Sequence, residues 1–178
     1  MTYLVDANAI ITPFSKPSLN ALKLALGYSS TSEVVNWLRD WFTRAFENGY
    51  LVGAQELVTE VGRKKDLASQ LLNSLMDREV IQLLRPKDET FGYLADIELF
   101  VRQHFNDHQA DLFSQGNDGW YIALAMTHRV HLITLEGYNI PQCNLSTGRI
   151  QGKARMPFVA WVFGVTCIPL FQAFLEFH

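Results

Sequence analysis

Short apolar segments typical of strands alternate with amphipathic segments typical of helices along nearly the whole chain of 178 residues. The strand-like segments are Tyr3–Asp6, Tyr50–Gly53, Val80–Leu84, Val130–Thr134 and Val165–Ile168. Strands separated by helices imply βαβ units, whose strands pair in parallel beneath helices on both faces. We therefore expect a three-layer α/β/α sandwich around a mostly parallel central sheet of about five strands. A domain usually spans about 100–200 residues, so we expect residues 1–178 to form a single domain.

Apolar residues spaced three and four apart predict the intervening helices. The clearest helix is Thr31–Asn48, with Thr31 or Ser32 as its cap. Further helices are predicted over Gln55–Gly62, Lys65–Met76, Asp88–Asp107, Asn117 or Asp118 to His128, a short segment beginning at Pro157, and a closing segment beginning at Pro169. Leu135–Arg155 contains several Gly and Pro residues and is predicted to be a long loop.

The composition limits the kind of protein this chain can be. With 48% hydrophobic and 19% charged residues it is typical of a folded protein. A net charge of −3 excludes a generally basic nucleic-acid-binding surface, although it permits a local basic patch. The N-terminus lacks the features of a secretory signal, and the apolar run Phe158–Ile168 is too short to span a membrane. We expect a soluble cytoplasmic protein, with Cys143 and Cys167 as small core residues.

Four acidic residues fall near the carboxyl ends of predicted strands, where open parallel sheets bind their ligands. Asp6 ends the first strand, and Glu60 lies in the helix that follows the second. Asp118 begins the helix that leads into the fourth strand, and Glu136 follows that strand. Converging carboxylates repel one another unless a cation neutralises them. Hard divalent cations such as Mg²⁺ or Mn²⁺ prefer oxygen ligands of this kind.

Each acid taken singly also has a simpler interpretation. Asp118 could cap its helix, and Glu60 could pair with Lys64 one turn later. Glu56 lies one turn before Glu60 on the same helix face and could substitute for it. Asp6 is the hardest to explain without a ligand, because aspartate is poorly suited to a buried strand end. The combination of the four acids favours a functional site.

Several stretches of the chain resemble the motifs of PIN domains. Tyr3–Asn8 (YLVDAN) resembles their first strand, and Glu56–Val61 (ELVTEV) resembles their second acidic element. Asp118–Ala125 (DGWYIALA) resembles their acidic helix. Val130–Glu136 (VHLITLE) resembles the strand that follows, where most members have Thr-x-Asp. Gly164–Phe171 resembles a PIN-like branch labelled a domain of unknown function, close to VapC-like toxins.

The resemblance implies a metal-dependent endoribonuclease that hydrolyses RNA phosphodiester bonds with Mg²⁺ or Mn²⁺. Asp6 and Asp118 would be the central metal ligands, and Glu60 and Glu136 would hold a second ion or its waters. Glu136 keeps the charge and the oxygens of the more common Asp. The metal would lower the pKa of a bound water, orient it for in-line attack and neutralise charge on the phosphate.

Other residues would support the acids and hold the RNA. Asn8 and Thr134 would donate hydrogen bonds that orient the carboxylates. The basic residues that could contact phosphates are Arg63, Lys64, Lys65, Arg149, Lys153 and Arg155. They could equally be ordinary solvated side chains. Trp120 could stack on an RNA base or pack in the first turn of its helix.

The resemblance also indicates partners and a competing function. A member close to VapC-like toxins would act on RNA, pair with a small antitoxin protein, and could form a homodimer. The alternative is a non-catalytic PIN-like module that binds RNA or a protein partner. Residues Phe158–Phe163 would then be an exposed interface, although a buried helix is the simpler interpretation. The chain lacks the Gly-rich motif of dinucleotide-binding enzymes, and Asn8 stands where a haloacid dehalogenase phosphatase would have its second Asp.

Overall fold

We analysed a computed structural model that describes residues 1–62, 66–137, 141–144 and 148–177. The strands are β1 Tyr3–Val5, β2 Leu51–Ala54, β3 Leu83–Leu84, β4 His131–Thr134, β5 Cys143–Asn144, β6 Arg149–Ile150 and β7 Cys167–Pro169. Five of them form one sheet in the order β3-β2-β1-β4-β7, and every neighbouring pair is parallel. Helices cover both faces, so the predicted three-layer α/β/α sandwich with a parallel five-stranded sheet is confirmed.

The helices connect these strands and also occupy the first part of the chain. They are α1 Ala7–Ile11, α2 Lys16–Leu26, α3 Thr31–Glu47, α4 Gln55–Gly62, α5 Leu67–Asp77, α6 Asp88–His104, α7 Asp107–Gln115, α8 Asp118–His128, α9 Met156–Val162 and α10 Leu170–Glu176. A short 3₁₀ helix, Thr12–Phe14, follows α1. No helix among the described residues combines the length and the apolar composition that crossing a membrane requires.

The sheet separates two hydrophobic clusters because neighbouring side chains along a strand point to opposite faces. Tyr3 and Val5 of β1 belong to the cluster that buries α1 to α5 and α10. Leu4 lies on the other face, within the cluster formed by α6 to α9. Ile133 and Leu132 of β4 divide between the two clusters in the same way. Both faces of the two central strands are therefore buried, and their carboxyl ends remain the place where polar groups can meet.

The strand order reverses between β1 and β4. From β1 the chain builds outward through β2 to β3, and it then returns to place β4 and β7 on the other side of β1. Val5 is in register with Ile133, and the Asp6 backbone N–H donates to the Ile133 carbonyl at 3.0 Å. Such a reversal leaves a crevice beyond the carboxyl ends of the two strands. The acids that follow β1 and β4 lie beside this crevice.

Several sequence-based boundaries were wrong. The cap of α3 is Ser30 rather than Thr31 or Ser32, and its hydroxyl accepts the Glu33 N–H at 3.3 Å. The third strand covers only Leu83–Leu84 instead of Val80–Leu84. The predicted loop Leu135–Arg155 contains the antiparallel pair β5 and β6.

The fifth sheet strand begins two residues later than predicted and ends one residue later, at Pro169. Pro169 is the N-cap of α10 rather than its first residue. Pro169 is tolerated there because β7 is an edge strand. The predicted helix Lys65–Met76 is described as Leu67–Asp77, and Lys65 itself lies outside the described residues.

Candidate metal centre

Four acidic side chains lie around the crevice at the carboxyl edge of β1 and β4. Asp6 directly follows β1, and Glu136 lies two residues after β4. Glu60 is in α4, which leaves β2, and Asp118 is the first residue of α8. The negative charges of Glu136, Asp6 and Glu60 all raise the pKa of Asp118, so the four groups lie within electrostatic range of one another. The structure thus brings together the four acids selected from the sequence.

Asp6 is buried at the start of α1, with only 6% of its surface exposed. Burial, with smaller contributions from the charges of Glu60 and Glu136, raises the pKa of its carboxyl to about 6. The Asn8 backbone N–H and the Thr134 hydroxyl partly offset this rise. Thr134 Oγ1 donates to Asp6 Oδ2 at 3.3 Å. Two hydrogen-bond donors and no cation therefore stabilise this carboxylate among the described residues.

Asp118 is the acid whose charged form is most disfavoured. Burial, followed by the charges of Glu136, Asp6 and Glu60, raises its pKa to about 7. The residue that caps α8 is Asn117, and Asp118 occupies the first helical position. Helix capping therefore does not explain why an aspartate stands at position 118. At neutral pH this carboxyl is poised between its protonated and ionised forms, which is typical of a group that binds a cation or a proton in function.

The two glutamates are each held by one hydrogen bond from a neighbouring element. Asn117 Nδ2 donates to Glu60 Oε1 at 2.5 Å, which ties α4 to the start of α8. The Met156 backbone N–H donates to Glu136 Oε2 at 3.0 Å, which ties Glu136 to the first residue of α9. Each glutamate thus has one carboxylate oxygen engaged by a described residue.

The donor set fits a divalent cation held by few protein ligands. Within the described ranges, none of the four acids forms an ion pair, and no three His, Cys, Asp or Glu side chains are grouped so as to hold one metal ion. Mg²⁺ commonly takes one or two carboxylates and keeps several waters. The buried Asp6 and the half-buried Asp118, both with raised pKa values, are one or two carboxylates of this kind. A closed cage of three or four protein ligands is not what this geometry offers.

Thr134 connects two of the acids. Its buried hydroxyl donates to Asp6 and accepts the Glu136 backbone N–H at 3.2 Å. The side chain of Asn8 is exposed, and the donor from this residue to Asp6 is its backbone N–H. Glu56 lies one turn before Glu60 and lines a neighbouring cleft instead of replacing Glu60 at the crevice.

Three further residues at the site were not singled out from the sequence. Asn117 holds Glu60, as described above. Cys167 of β7 has its pKa raised to about 12 by burial and by the charges of Asp6, Glu136 and Asp118. Its thiol stays protonated, and Cys167 forms no disulfide with a described residue. The asparagine before Asp118 was visible as a helix-start signal, whereas the position of Cys167 depends on the pairing of β4 with β7.

Tyr121 of α8 is the third of these residues, and it is almost fully buried. Burial and the charges of Glu60, Asp6 and Glu56 raise the pKa of its hydroxyl. The Ala7 backbone amide offsets part of that rise, yet the hydroxyl has no hydrogen-bond partner of ordinary geometry among the described residues. An unpaired buried hydroxyl beside acids is a free donor for a water or an ion-bound oxygen.

The predicted RNA-binding residues that the structure describes lie in different surroundings. Arg63 and Lys64 lie outside the described residues. Arg149 forms an exposed ion pair with Asp107 at 3.4 Å. Lys153 is exposed, and the half-buried Arg155 is the N-cap of α9, next to the Met156 amide that holds Glu136.

Trp120 is half-buried and packs against Phe91, with ring centroids 5.7 Å apart. The interpretation as a packing residue is thus correct for part of the ring, and the remainder faces a cleft that is described below.

The protein is thus an α/β protein with a parallel sheet. Its carboxylate centre lies where the strand order reverses, between β1 and β4. The family described as "Domain of unknown function (DUF4411)" matches residues 3–177, and the chain belongs to that family. No protein of curated function matches the sequence. Among solved structures, the chain is similar to the crystal structure of FitAcB from Neisseria gonorrhoeae, with 16% identity, a TM-score of 0.47, and coverage of 96% of this chain and 99% of the other. A likeness this distant does not bear on activity.

Proposed function

We propose that this protein is a metal-dependent ribonuclease with a PIN-like site formed by Asp6, Asp118, Glu60 and Glu136. The observation that carries the proposal is the pair formed by the buried Asp6 and the half-buried Asp118, whose pKa values are raised to about 6 and about 7. The pair lies beside two further carboxylates and has no ion-pair partner among the described residues. The carboxylates of such a centre repel one another when ionised, and a bound divalent cation would offset that repulsion. The resemblance of its motifs to PIN domains supports RNA as the substrate.

The contacts of each site residue suggest its role in metal binding and RNA hydrolysis. Asp6 and Asp118 would bind Mg²⁺ or Mn²⁺, and that ion would supply an activated water and neutralise charge on the scissile phosphate. Thr134 fixes the orientation of Asp6 through its hydroxyl. Glu60 and Glu136 each keep one oxygen to accept hydrogen bonds from waters in the crevice. Tyr121 offers a donor from the buried side.

The same resemblance supports a role as the toxin of a toxin–antitoxin pair. A small antitoxin protein would then be the partner, and a second copy of the chain would be another. The apolar segment Phe158–Phe163 is divided in the structure: Phe158 is buried in the core, whereas Trp161 and Val162 are exposed. Trp161 and Val162 of α9, with Phe171 and Leu175 of α10, are the apolar side chains that this end of the chain offers for such contacts.

A non-catalytic binding module is the second candidate. It is favoured by the absence, within the described part of the chain, of any three side chains grouped to hold one metal ion. In that case the acids would serve recognition or fold stability alone, and RNA or a protein would bind without being cut.

Cleavage of labelled single-stranded RNA separates the two candidates. We expect cutting with Mg²⁺ or Mn²⁺, no cutting in the presence of a chelator, and a loss of at least about a hundredfold in Asp6→Asn and Asp118→Asn. Asp96→Asn is the matched control, because Asp96 is an exposed acid of α6 away from the crevice. Cutting that persists with chelator or in both aspartate variants would overturn the metal mechanism. Tight binding of RNA without hydrolysis would support the binding module.

A further inference from the structure

A cleft of about 340 Å³ lies beside the carboxylate centre. Its apolar walls come from three helices and include Leu94 of α6, Phe113 of α7 and Trp120 of α8. Two carboxylates, Glu56 and Glu98, also line it. The volume is at the lower end of the range for small-molecule sites, so the cleft suits a small flat group rather than a large ligand.

Two residues that line the cleft are neighbours of the acids. Asn117 lines the cleft, directly precedes Asp118 and donates to Glu60 at 2.5 Å. Glu56 lines the cleft from α4, one turn before Glu60. A nucleotide whose phosphate reached the crevice would therefore bring its own base, or that of a neighbouring nucleotide, to this cleft.

Two polar atoms in the cleft residues have no partner. Of the four buried side-chain nitrogen and oxygen atoms that lack a hydrogen bond among the described residues, two are Ser114 Oγ and Trp120 Nε1. Both residues line the cleft. Buried polar atoms are nearly always paired, so such atoms point to a water or a ligand group that completes them. The indole N–H is a donor only, and the hydroxyl can donate or accept.

These features match the chemistry of a nucleobase. The flat apolar walls and the Trp120 ring, which packs on Phe91, offer a surface for a planar ring. A base that reached the buried indole N–H would accept from it through a ring nitrogen or a carbonyl oxygen. Glu56 and Glu98 can only accept while ionised, so they select groups that donate, such as exocyclic amines. Uracil has no exocyclic amine, and its two carbonyl oxygens would be repelled by the carboxylates.

We propose that the cleft is a base-selective subsite that takes one adenine, cytosine or guanine of a single-stranded RNA and disfavours uracil. The proposal rests on the proposed ribonuclease function and assigns its substrate preference. Glu98 sets the preference for an amino group, and Trp120 supplies stacking. No residue of the subsite belongs to the four acids that would bind the metal.

Cleavage of a random-sequence RNA pool, with sequencing of the product ends, tests the preference. We expect uracil to be depleted at one fixed position near the cut. Glu98→Gln should lower the rate for amino-bearing bases at that position and raise tolerance of uracil, because an amide can donate as well as accept. Trp120→Leu should lower kcat/KM roughly tenfold without restoring uracil, since stacking is worth about 1–3 kcal/mol per base. Glu89→Gln, at an exposed position of α6 outside the cleft, should leave the profile unchanged.

Binding of single nucleosides to the wild-type protein in chelator provides an independent measurement. Saturation-transfer NMR should show adenosine, cytidine and guanosine binding in preference to uridine, and Glu98→Gln should remove the difference. RNA cutting with no base preference, or equal binding of all four nucleosides, would overturn the subsite and leave the ribonuclease proposal standing. Selective nucleoside binding without any RNA cutting would support the subsite and overturn the ribonuclease proposal. Thermal unfolding of Trp120→Leu and Glu98→Gln shows whether a lowered kcat/KM or a lost preference reflects lost folding.

Discussion

Asp118 is half-buried beside three other carboxylates, and its raised pKa has a cost for the folded protein. A carboxyl whose folded pKa lies above its unfolded value contributes stability below the unfolded pKa, near 4, and loses it as the pH rises through the folded pKa. For Asp118 the loss runs from about pH 4 to about pH 7. Asp6 acts in the same direction, with its loss ending near pH 6. The site residues therefore weaken the metal-free fold at neutral pH.

Asp118→Asn should accordingly stabilise the metal-free protein at alkaline pH. We expect a gain of a few kcal/mol in the free energy of unfolding near pH 8 and a much smaller gain near pH 4, because the unfolded carboxyl ionises near pH 4 and the folded one only near pH 7. Chemical denaturation in chelator at the two pH values measures the difference. Asp96→Asn, which removes an exposed charge of the same helix layer, should show no such pH dependence. An equal effect of Asp118→Asn at both pH values would contradict the electrostatic explanation.

The sequence identified the residues whose role follows from their position in the chain. Asp6 stands at the end of an apolar strand, and Thr134 ends the neighbouring strand, so parallel pairing brings the two together. Tyr121 and Cys167 could not be identified in this way. Their nearness to the acids depends on how α8 rotates against the sheet and on the pairing of β7, which local patterns do not encode.

At the scale of elements, the start of α8 depends on a close approach to α6 and α7. A Cβ on Gly119 would lie 3.2 Å from Leu94 Cδ1 and 3.2 Å from Phe113 Cε1. That separation is tighter than ordinary van der Waals contact, and Phe113 is buried and has little room to move. The glycine thus lets the helix that carries Asp118 pack directly on its neighbours.

Gly119→Ala should destabilise the protein although alanine is the better helix former. We expect a net loss of about 1 kcal/mol, because overpacking costs about 1–3 kcal/mol against a gain of roughly 1 kcal/mol in helix propensity. Gly92→Ala in α6 is the matched control, since no atom lies within 4 Å of its added Cβ. It should stabilise by up to about 1 kcal/mol. Thermal unfolding of both variants measures these changes in stability. Stabilisation by both would show that Leu94 and Phe113 move to accommodate the added methyl group.

The sequence failed to predict α1, α2 and α7, and the first two have a common cause. Residues 7–26 contain Pro13, Ser15 and Pro17, which interrupt the apolar periodicity and are typical of turns. In the structure these residues lie near helix ends and do not prevent helices from forming. Ser15 caps α2, and Pro17 lies in the first turn of α2, where its missing backbone N–H breaks no hydrogen bond within the helix. α1 has only five residues and is too short to show a helical period. Longer patterned segments such as α3, α4 and α8 were predicted to within one residue at most ends.

For the whole molecule, the parallel sheet and its layers followed from the alternation of elements, whereas the strand order required the structure. The order β3-β2-β1-β4-β7 places the reversal between β1 and β4 and so gathers acids from four separate segments. Apart from those four, acidic and basic residues are nearly equal in number. The excess negative charge is therefore concentrated at one edge of the sheet, and a cation that stabilises the molecule should act there.

Millimolar Mg²⁺ or Mn²⁺ should raise the Tm of the protein near pH 8, and chelator should reverse the rise. Binding at a hundred times Kd stabilises by about 2.7 kcal/mol. For a chain of this size that corresponds to a shift of roughly 5–10 °C. KCl at matched ionic strength should produce a much smaller shift, because screening of exposed charges is not specific binding. Asp6→Asn should lose the response to the divalent ion, since it removes a proposed central ligand, while Asp96→Asn should keep it. A divalent shift equal to that of KCl, or one retained in Asp6→Asn, would show that the four carboxylates do not form a metal centre.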